Sequence, residues 1–173
     1  MVESSQKPIV VITGVSGYLG SHVALAFLKD GTYTVKGTLR DPRDEKKIEP
    51  LKKAFGEHFA NLKLVAADLN DKNSLFNAIL GANYVVHTAS PFPLKPPKSE
   101  MDLINPAVNG TLAVMEACLE NKIKRVVITS SIAAIMYGKP ENRPEKNTYT
   151  EEHWSDPIGD HISAYCKSKT LAE

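Results

Sequence analysis

The chain has 173 residues, which at about 100–200 residues per domain suits a single domain. Its 21 Lys+Arg and 20 Asp+Glu leave a net charge of +1, so bulk positive charge cannot drive nucleic-acid binding. Hydrophobic residues at 42% and charged residues at 24% exclude wholesale disorder, and two cysteines, Cys118 and Cys166, with no CxxC pairing, exclude a disulfide scaffold or a cysteine-rich zinc module.

The first seven residues are polar, and the apolar stretch Ile9–Ile12 is too short for a signal h-region. No segment reaches ~18 uninterrupted apolar residues. The expectation is a soluble, cytoplasmic protein with neither membrane nor nucleic acid as partner. The histidines are scattered, without ligand spacing for a metal.

In chain order, Pro8–Thr13 reads as a buried strand that runs through glycines into a helix at Ser21–Lys29. Thr32–Leu39 is a second strand, and Glu45–Phe55 an amphipathic helix. Leu62–Ala66 is a third strand, followed by a helix from Lys72 that stops before Gly81. Asn83–Thr88 is a fourth strand, Ile104–Asn121 a long helix and Arg125–Thr129 a fifth strand. Residues 132–160 read mostly as loop, and Ser163 caps a last helix. This alternation predicts an α/β fold of the Rossmann type, a doubly wound parallel sheet with helices on both faces. Its near-continuous Val/Ile strands suit a sheet covered on both sides. Ligands of such sheets bind beyond the carboxyl ends of the strands.

Gly14-Val-Ser16-Gly17-Tyr18-Leu19-Gly20 is a GxxGxxG run between a strand and a helix. In that context it signals a dinucleotide pyrophosphate at a helix N-terminus. Alone, the same run is a plain strand-to-helix turn. The second strand runs out at Thr38-Leu39-Arg40, where an NAD site usually has an acidic side chain. A guanidinium there suits a 2′-phosphate, and Lys46 and Lys47 follow; pairing of Arg40 with Asp41 or Asp44 is the alternative. Asp68-Leu69 either brackets an adenine or closes a turn. Thr88-Ala89-Ser90 offers small residues for backbone approach to a cofactor, and His87 reads as a core histidine.

Tyr165 and Lys169 stand at i and i+4, on one helical face, and the fifth strand ends in Thr129-Ser130-Ser131. Together these make a proton-delivery set for carbonyl reduction. A phenol titrates near 10, and bringing one to neutrality takes about 4 kcal/mol. An ammonium ~5 Å away supplies about 3 kcal/mol at an effective dielectric of 20. The Tyr–Lys spacing by itself is weak, since it also describes an ordinary exposed helix face.

Taken together, TGVSGYLGSH, TLRDPRDEKK, AADL, VVHTASP, VNGTL, RVVITSSIAA, EEHWSD and YCKSKTLAE cover nearly the whole chain. They resemble the N-terminal part of the extended short-chain dehydrogenases/reductases, within the NAD-dependent epimerase/dehydratase superfamily. The nearest group is the dihydroflavonol 4-reductases, cinnamoyl-CoA reductases and fungal ketone/methylglyoxal reductases. The resemblance implies NADP(H) and a small-molecule carbonyl substrate. It assigns Tyr165 as acid, Lys169 as its tuning partner and ribose ligand, and Ser131, or its neighbour Ser130, as the carbonyl-polarising hydroxyl. It also implies Arg40 and Lys47 as 2′-phosphate ligands, and Asn109 as a site-supporting residue or an interhelical hydrogen bond.

Such enzymes run to around twice this length. The expectation is therefore an incomplete NADP-binding domain over residues 1–173, ending within the catalytic helix, with later strands and the substrate region absent. That would leave the fifth strand as an exposed edge, and the isolated chain weakly active and poorly folded. A nucleotide-sugar epimerase/dehydratase, a hydroxysteroid dehydrogenase and a non-catalytic NADP-binding module remain as alternatives. The sequence identifies neither the substrate nor the oligomeric state.

Overall fold

The computed structural model describes residues 6–92, 95, 97–139, 144, 148–159 and 162–173. Part of the Pro-rich stretch 91–97 and part of the 132–160 loop lie outside the described residues. The chain divides into two compact units. The first comprises residues 1–89 and 113–128, the second residues 90–112 and 129–173.

The first unit holds a five-stranded parallel sheet built from β1 (Ile9–Thr13), β2 (Thr34–Leu39), β3 (Leu62–Ala66), β4 (Tyr84–His87) and β5 (Arg125–Ile128). Their order is β3-β2-β1-β4-β5, with the strand sequence reversing direction at β1. That reversal is where a doubly wound sheet opens a crevice for ligands. The fold is the expected Rossmann type.

Alternation along β1 divides its side chains between two cores. Val10 and Ile12 are fully buried against Ala24 and Leu28 of α1 (Tyr18–Asp30) and Ile48, Leu51 and Phe55 of α2 (Glu45–Phe55). Val11 turns the other way, against Leu75, Ala78 and Ile79 of α3 (Lys72–Ile79) and Val114, Ala117 and Cys118 of α4 (Met101–Glu120). Burying one such aliphatic side chain is worth about 1.5–3 kcal/mol. The surrounding core pushes the Cys118 thiol up to about 11 by desolvation.

Several boundaries differ from the sequence reading, each for a local reason. α1 begins at Tyr18, three residues before Ser21, because Gly17 takes the extended N-cap conformation inside the glycine run. α4 begins at Met101, before Ile104. There Ser99 Oγ accepts from the Met101 amide, and the Asp102 carboxylate accepts from the Ser99 amide. This reciprocal cap starts the helix early, and Pro106 is carried within it. β5 stands at the sheet edge, as expected, with β4 as its partner among the described residues, and its Val127 is 51% exposed.

The second unit is built around α5 (Ala164–Ala172), whose N-cap Ser163 accepts from the Cys166 amide. α5 packs on a 3₁₀ turn at Ile132–Ala134, with Ala133, Ile162 and Cys166 as the small core and Tyr165 against it. No helix of the described residues is long and apolar enough to cross a membrane.

Candidate active site

The glycine loop follows β1 directly. Gly14 takes φ +70°, a conformation that L side chains rarely adopt, and a Cβ there would meet Ala89 at 3.0 Å. Gly20 is constrained differently. A Cβ on it would overlap the Gly14 carbonyl oxygen and stand 2.8 Å from Thr88 Oγ1. Gly17 is freer: only the Gly14 oxygen, at 3.3 Å, lies within reach of a Cβ. The first turn of α1 has neither a side-chain cap nor an acidic residue. Tyr18 and Leu19 there are exposed. The loop therefore presents uncapped amides beside a cradle without side chains, which fits the anionic diphosphate of a dinucleotide.

Hydrogen bonds fix the loop from two sides. The Gly14 amide donates to Thr38 Oγ1 at 3.2 Å, and the Val15 amide to the Thr38 carbonyl at 2.9 Å. On the other side, Thr13 Oγ1 accepts from the Thr88 and Ala89 amides, both at 3.1 Å. With both acceptor positions used, its proton points to His87 Nδ1, 2.7 Å away. His87 Nδ1 is thus an acceptor in the core. The Thr88 hydroxyl in turn donates to the Thr13 carbonyl at 2.6 Å. Thr88 and Ala89 are held beside Gly14, while Ser90 is exposed at the start of the second unit.

Arg40 is exposed, and the two carboxylates that would compete for it are occupied. Asp41 accepts from the Arg43 amide and guanidinium, which hold its carboxyl below its ordinary range. Asp44 caps α2 through the Lys46 amide. Lys47 is exposed on that first turn. Asp68 closes a turn through Oδ1, which accepts from the Asn70 amide at 2.8 Å. Leu69 beside it is half-buried, as is Ser16 in the glycine loop.

In the second unit, Lys169 is buried and donates from Nζ to the Thr129 carbonyl at 3.3 Å. Burial lowers its pKa, and the Glu173 carboxylate one turn away partly opposes this. Ser131 caps the 3₁₀ turn, its Oγ accepting from the Ala133 amide at 3.2 Å. Ser131 is therefore bracketed against α5: two residues earlier Thr129 binds Lys169, and two residues later Ala133 packs on Cys166. The Ser130 hydroxyl instead donates to the Glu173 carboxylate. Tyr165 meets Phe92 edge-on, with ring centroids 5.5 Å apart. Asn109 is exposed and makes no interhelical hydrogen bond among the described residues.

Sequence reasoning brought together Ser131, Tyr165 and Lys169 within this unit, and Gly14, Gly20, Thr88 and Ala89 within the first. It missed Thr13, Thr38 and Phe92. Thr13 ends β1 and Thr38 is the penultimate residue of β2, both beside the glycine run, which is a usable signal; Phe92 follows Ser90 in a loop and carried none.

The NAD dependent epimerase/dehydratase family model matches residues 10–173. The chain belongs to this family. Among curated relatives, it is 41% identical to cinnamoyl-CoA reductase CAD2 of Medicago truncatula over 180 residues, covering 100% of this chain and 53% of that protein. It is 37% identical to the dihydroflavonol 4-reductase of Arabidopsis thaliana, covering 98% of this chain and 44% of that protein. Among solved structures, the yeast methylglyoxal/isovaleraldehyde reductase Gre2 complexed with NADPH superposes with a TM-score of 0.76 at 30% identity, covering 95% of this chain and 50% of that one. These family members are reductases by name, as the resemblance implied, and this chain spans about half their length.

Proposed function

We propose that this chain binds NADP(H) through its glycine loop and carries the acid–base set of a carbonyl reductase acting on a ketone or aldehyde. The observation that carries the reading is the bracketing of Ser131 against α5 by the Lys169–Thr129 hydrogen bond and the Ala133–Cys166 packing. An ordinary exposed helix face needs neither a buried lysine nor a capped serine turn beside it. The likeness to two curated reductases and to an NADPH-bound reductase structure supports the same reading.

On this reading residues 1–173 form one cofactor-binding domain. Backbone amides at Tyr18 and Leu19 receive the diphosphate, with Ser16 and Gly17 beside them, the Gly17 amide closing the loop onto the Gly14 carbonyl. Thr88, Ala89 and Ser90 line the backbone approach, and Leu69 and the second carboxylate oxygen of Asp68 face the adenine. Arg40 and Lys47 hold the 2′-phosphate, for which a planar guanidinium with no competing carboxylate is well suited.

When bound, the cofactor supplies a hydride to the carbonyl carbon. Tyr165 donates its phenolic proton to the carbonyl oxygen as charge develops there. Lys169 favours the phenolate left behind and binds a cofactor ribose hydroxyl. Ser131 donates a hydrogen bond to the same oxygen, polarising the carbonyl while keeping its own proton. Its Oγ accepts from Ala133, so its own proton is still available, whereas the Ser130 proton is committed to Glu173.

The test is carbonyl-dependent NADPH oxidation by the complete polypeptide against a panel of ketones and aldehydes. Turnover supports the reading. A protein that retains NAD through purification and converts nucleotide sugars instead would replace it with the epimerase reading.

A further inference from the structure

We infer that Lys167 and Glu100 are a positioning pair that sets the rotation of α5, and with it the direction in which Tyr165 points. The inference rests on the reading of Tyr165 as the proton donor.

Residues Cys166–Thr170 are all buried. At 100° per residue, five consecutive positions enclose the whole circumference of the helix. Yet the enclosed segment is Cys-Lys-Ser-Lys-Thr, with little apolar surface to fix its orientation. Ser168 and Thr170 turn their hydroxyls back onto the helix itself, donating to the Tyr165 and Cys166 carbonyls. Among the described residues, the polar side chains that reach from the helix body to other segments are the two lysines, while just past the helix the Glu173 carboxylate accepts from Ser130 on the Lys169 side.

Lys169 reaches Thr129. Lys167, two residues earlier, leaves the helix about 200° away and meets both oxygens of Glu100, at 3.2 and 3.0 Å. Its side chain is only 10% exposed, while that of Glu100 is 51% exposed. A buried ammonium needs a nearby countercharge, and Glu100 supplies it from a fixed place. Glu100 lies between Ser99 and Asp102, which cap each other at the start of α4. Two clamps on opposite sides of a helix fix its rotation where one would leave a pivot. Tyr165 lies one turn before Lys169 and nearly opposite Lys167, so a rotation of the helix about its axis, which the second clamp prevents, would re-aim the phenol.

The test is hydrogen exchange of the complete polypeptide, read on peptides spanning 164–172, with β1 peptides as internal control. Glu100→Gln and Lys167→Met should each speed exchange in α5 by about tenfold and leave β1 unchanged. The charge reversal E100K/K167E should bring α5 back to within about threefold of the parent. Unchanged α5 exchange in Glu100→Gln, or a reversal as fast as the single variants, overturns the clamp. In the complete polypeptide, Glu100→Gln should lower kcat with KM for NADPH unchanged. Faster exchange with an unaltered kcat overturns the positioning role. Absence of carbonyl reduction in the parent protein would sink the reductase reading alone, because exchange does not depend on it.

Discussion

Gly20 faces the carbonyl oxygen of Gly14 across the loop with no room for a methyl group between them, and Thr88 Oγ1 closes the third side at 2.8 Å from where that methyl would stand. Close approach of α1 to β1 therefore depends on a missing side chain. Gly17 has no such crowding and keeps a negative φ of −83°. Gly20→Ala should cost the fold about 1–3 kcal/mol, the range of overpacked cores. Gly17→Ala should leave the melting temperature within a few degrees and weaken NADPH binding. Thermal melts beside NADPH titrations separate the two. Equal melting temperatures for both variants would contradict the geometry.

Arg40 has no competing carboxylate among the described residues, since Asp41 and Asp44 are engaged elsewhere. Arg40→Ala should weaken NADPH binding by about 10–100-fold, as loss of a charge-assisted contact does, and leave NADH binding within about twofold. Fluorescence titration of both nucleotides measures this. An equal loss for both would place Arg40 away from the 2′-phosphate.

The two adjacent serines differ in what their protons already do. Ser131→Ala should lower kcat for carbonyl reduction by about 100-fold, the scale for one lost donor to a developing oxyanion. Ser130→Ala should lower it less than about threefold, because its hydroxyl serves Glu173. Steady-state kinetics on both variants decides between them, and the reverse order would exchange their roles.

Burial depresses the pKa of Lys169 below the ordinary lysine value of 10.5. Between that depressed value and 10.5 the unfolded chain holds more protons than the folded one, so stability rises with pH across this window. Below the window the buried charge is a standing cost. Lys169→Met removes the titrating group, and the rise attributable to it should disappear. Comparing parent and variant melts from pH 8 to 10.5 isolates this from the opposite trend of Cys118, whose raised pKa costs stability above the ordinary thiol value of 9.0. Parallel pH profiles would contradict a buried, protonated Lys169.

Much of this was legible in the sequence, for identifiable reasons. The predicted ranges of α2 and β3 coincide with the observed Glu45–Phe55 and Leu62–Ala66, because both carry strong periodicity and clear flanks. The glycine spacing and the Tyr165–Lys169 pair are local patterns and read directly. The early start of α4 was hidden because its Ser99–Asp102 cap precedes the apolar periodicity. The Thr13 network joins residues 74 to 76 positions apart, and the Lys167–Glu100 pair residues 67 apart. No local pattern reports such contacts.

The most direct test of the reductase account is the single-turnover rate of carbonyl reduction by the complete polypeptide and its Tyr165→Phe variant, with NADPH affinity measured on both. The account predicts a loss of about 10²–10⁴-fold in rate, the range for removal of a general acid, with the NADPH Kd within about twofold. A Tyr165→Phe variant that reduces the carbonyl as fast as the parent would contradict it.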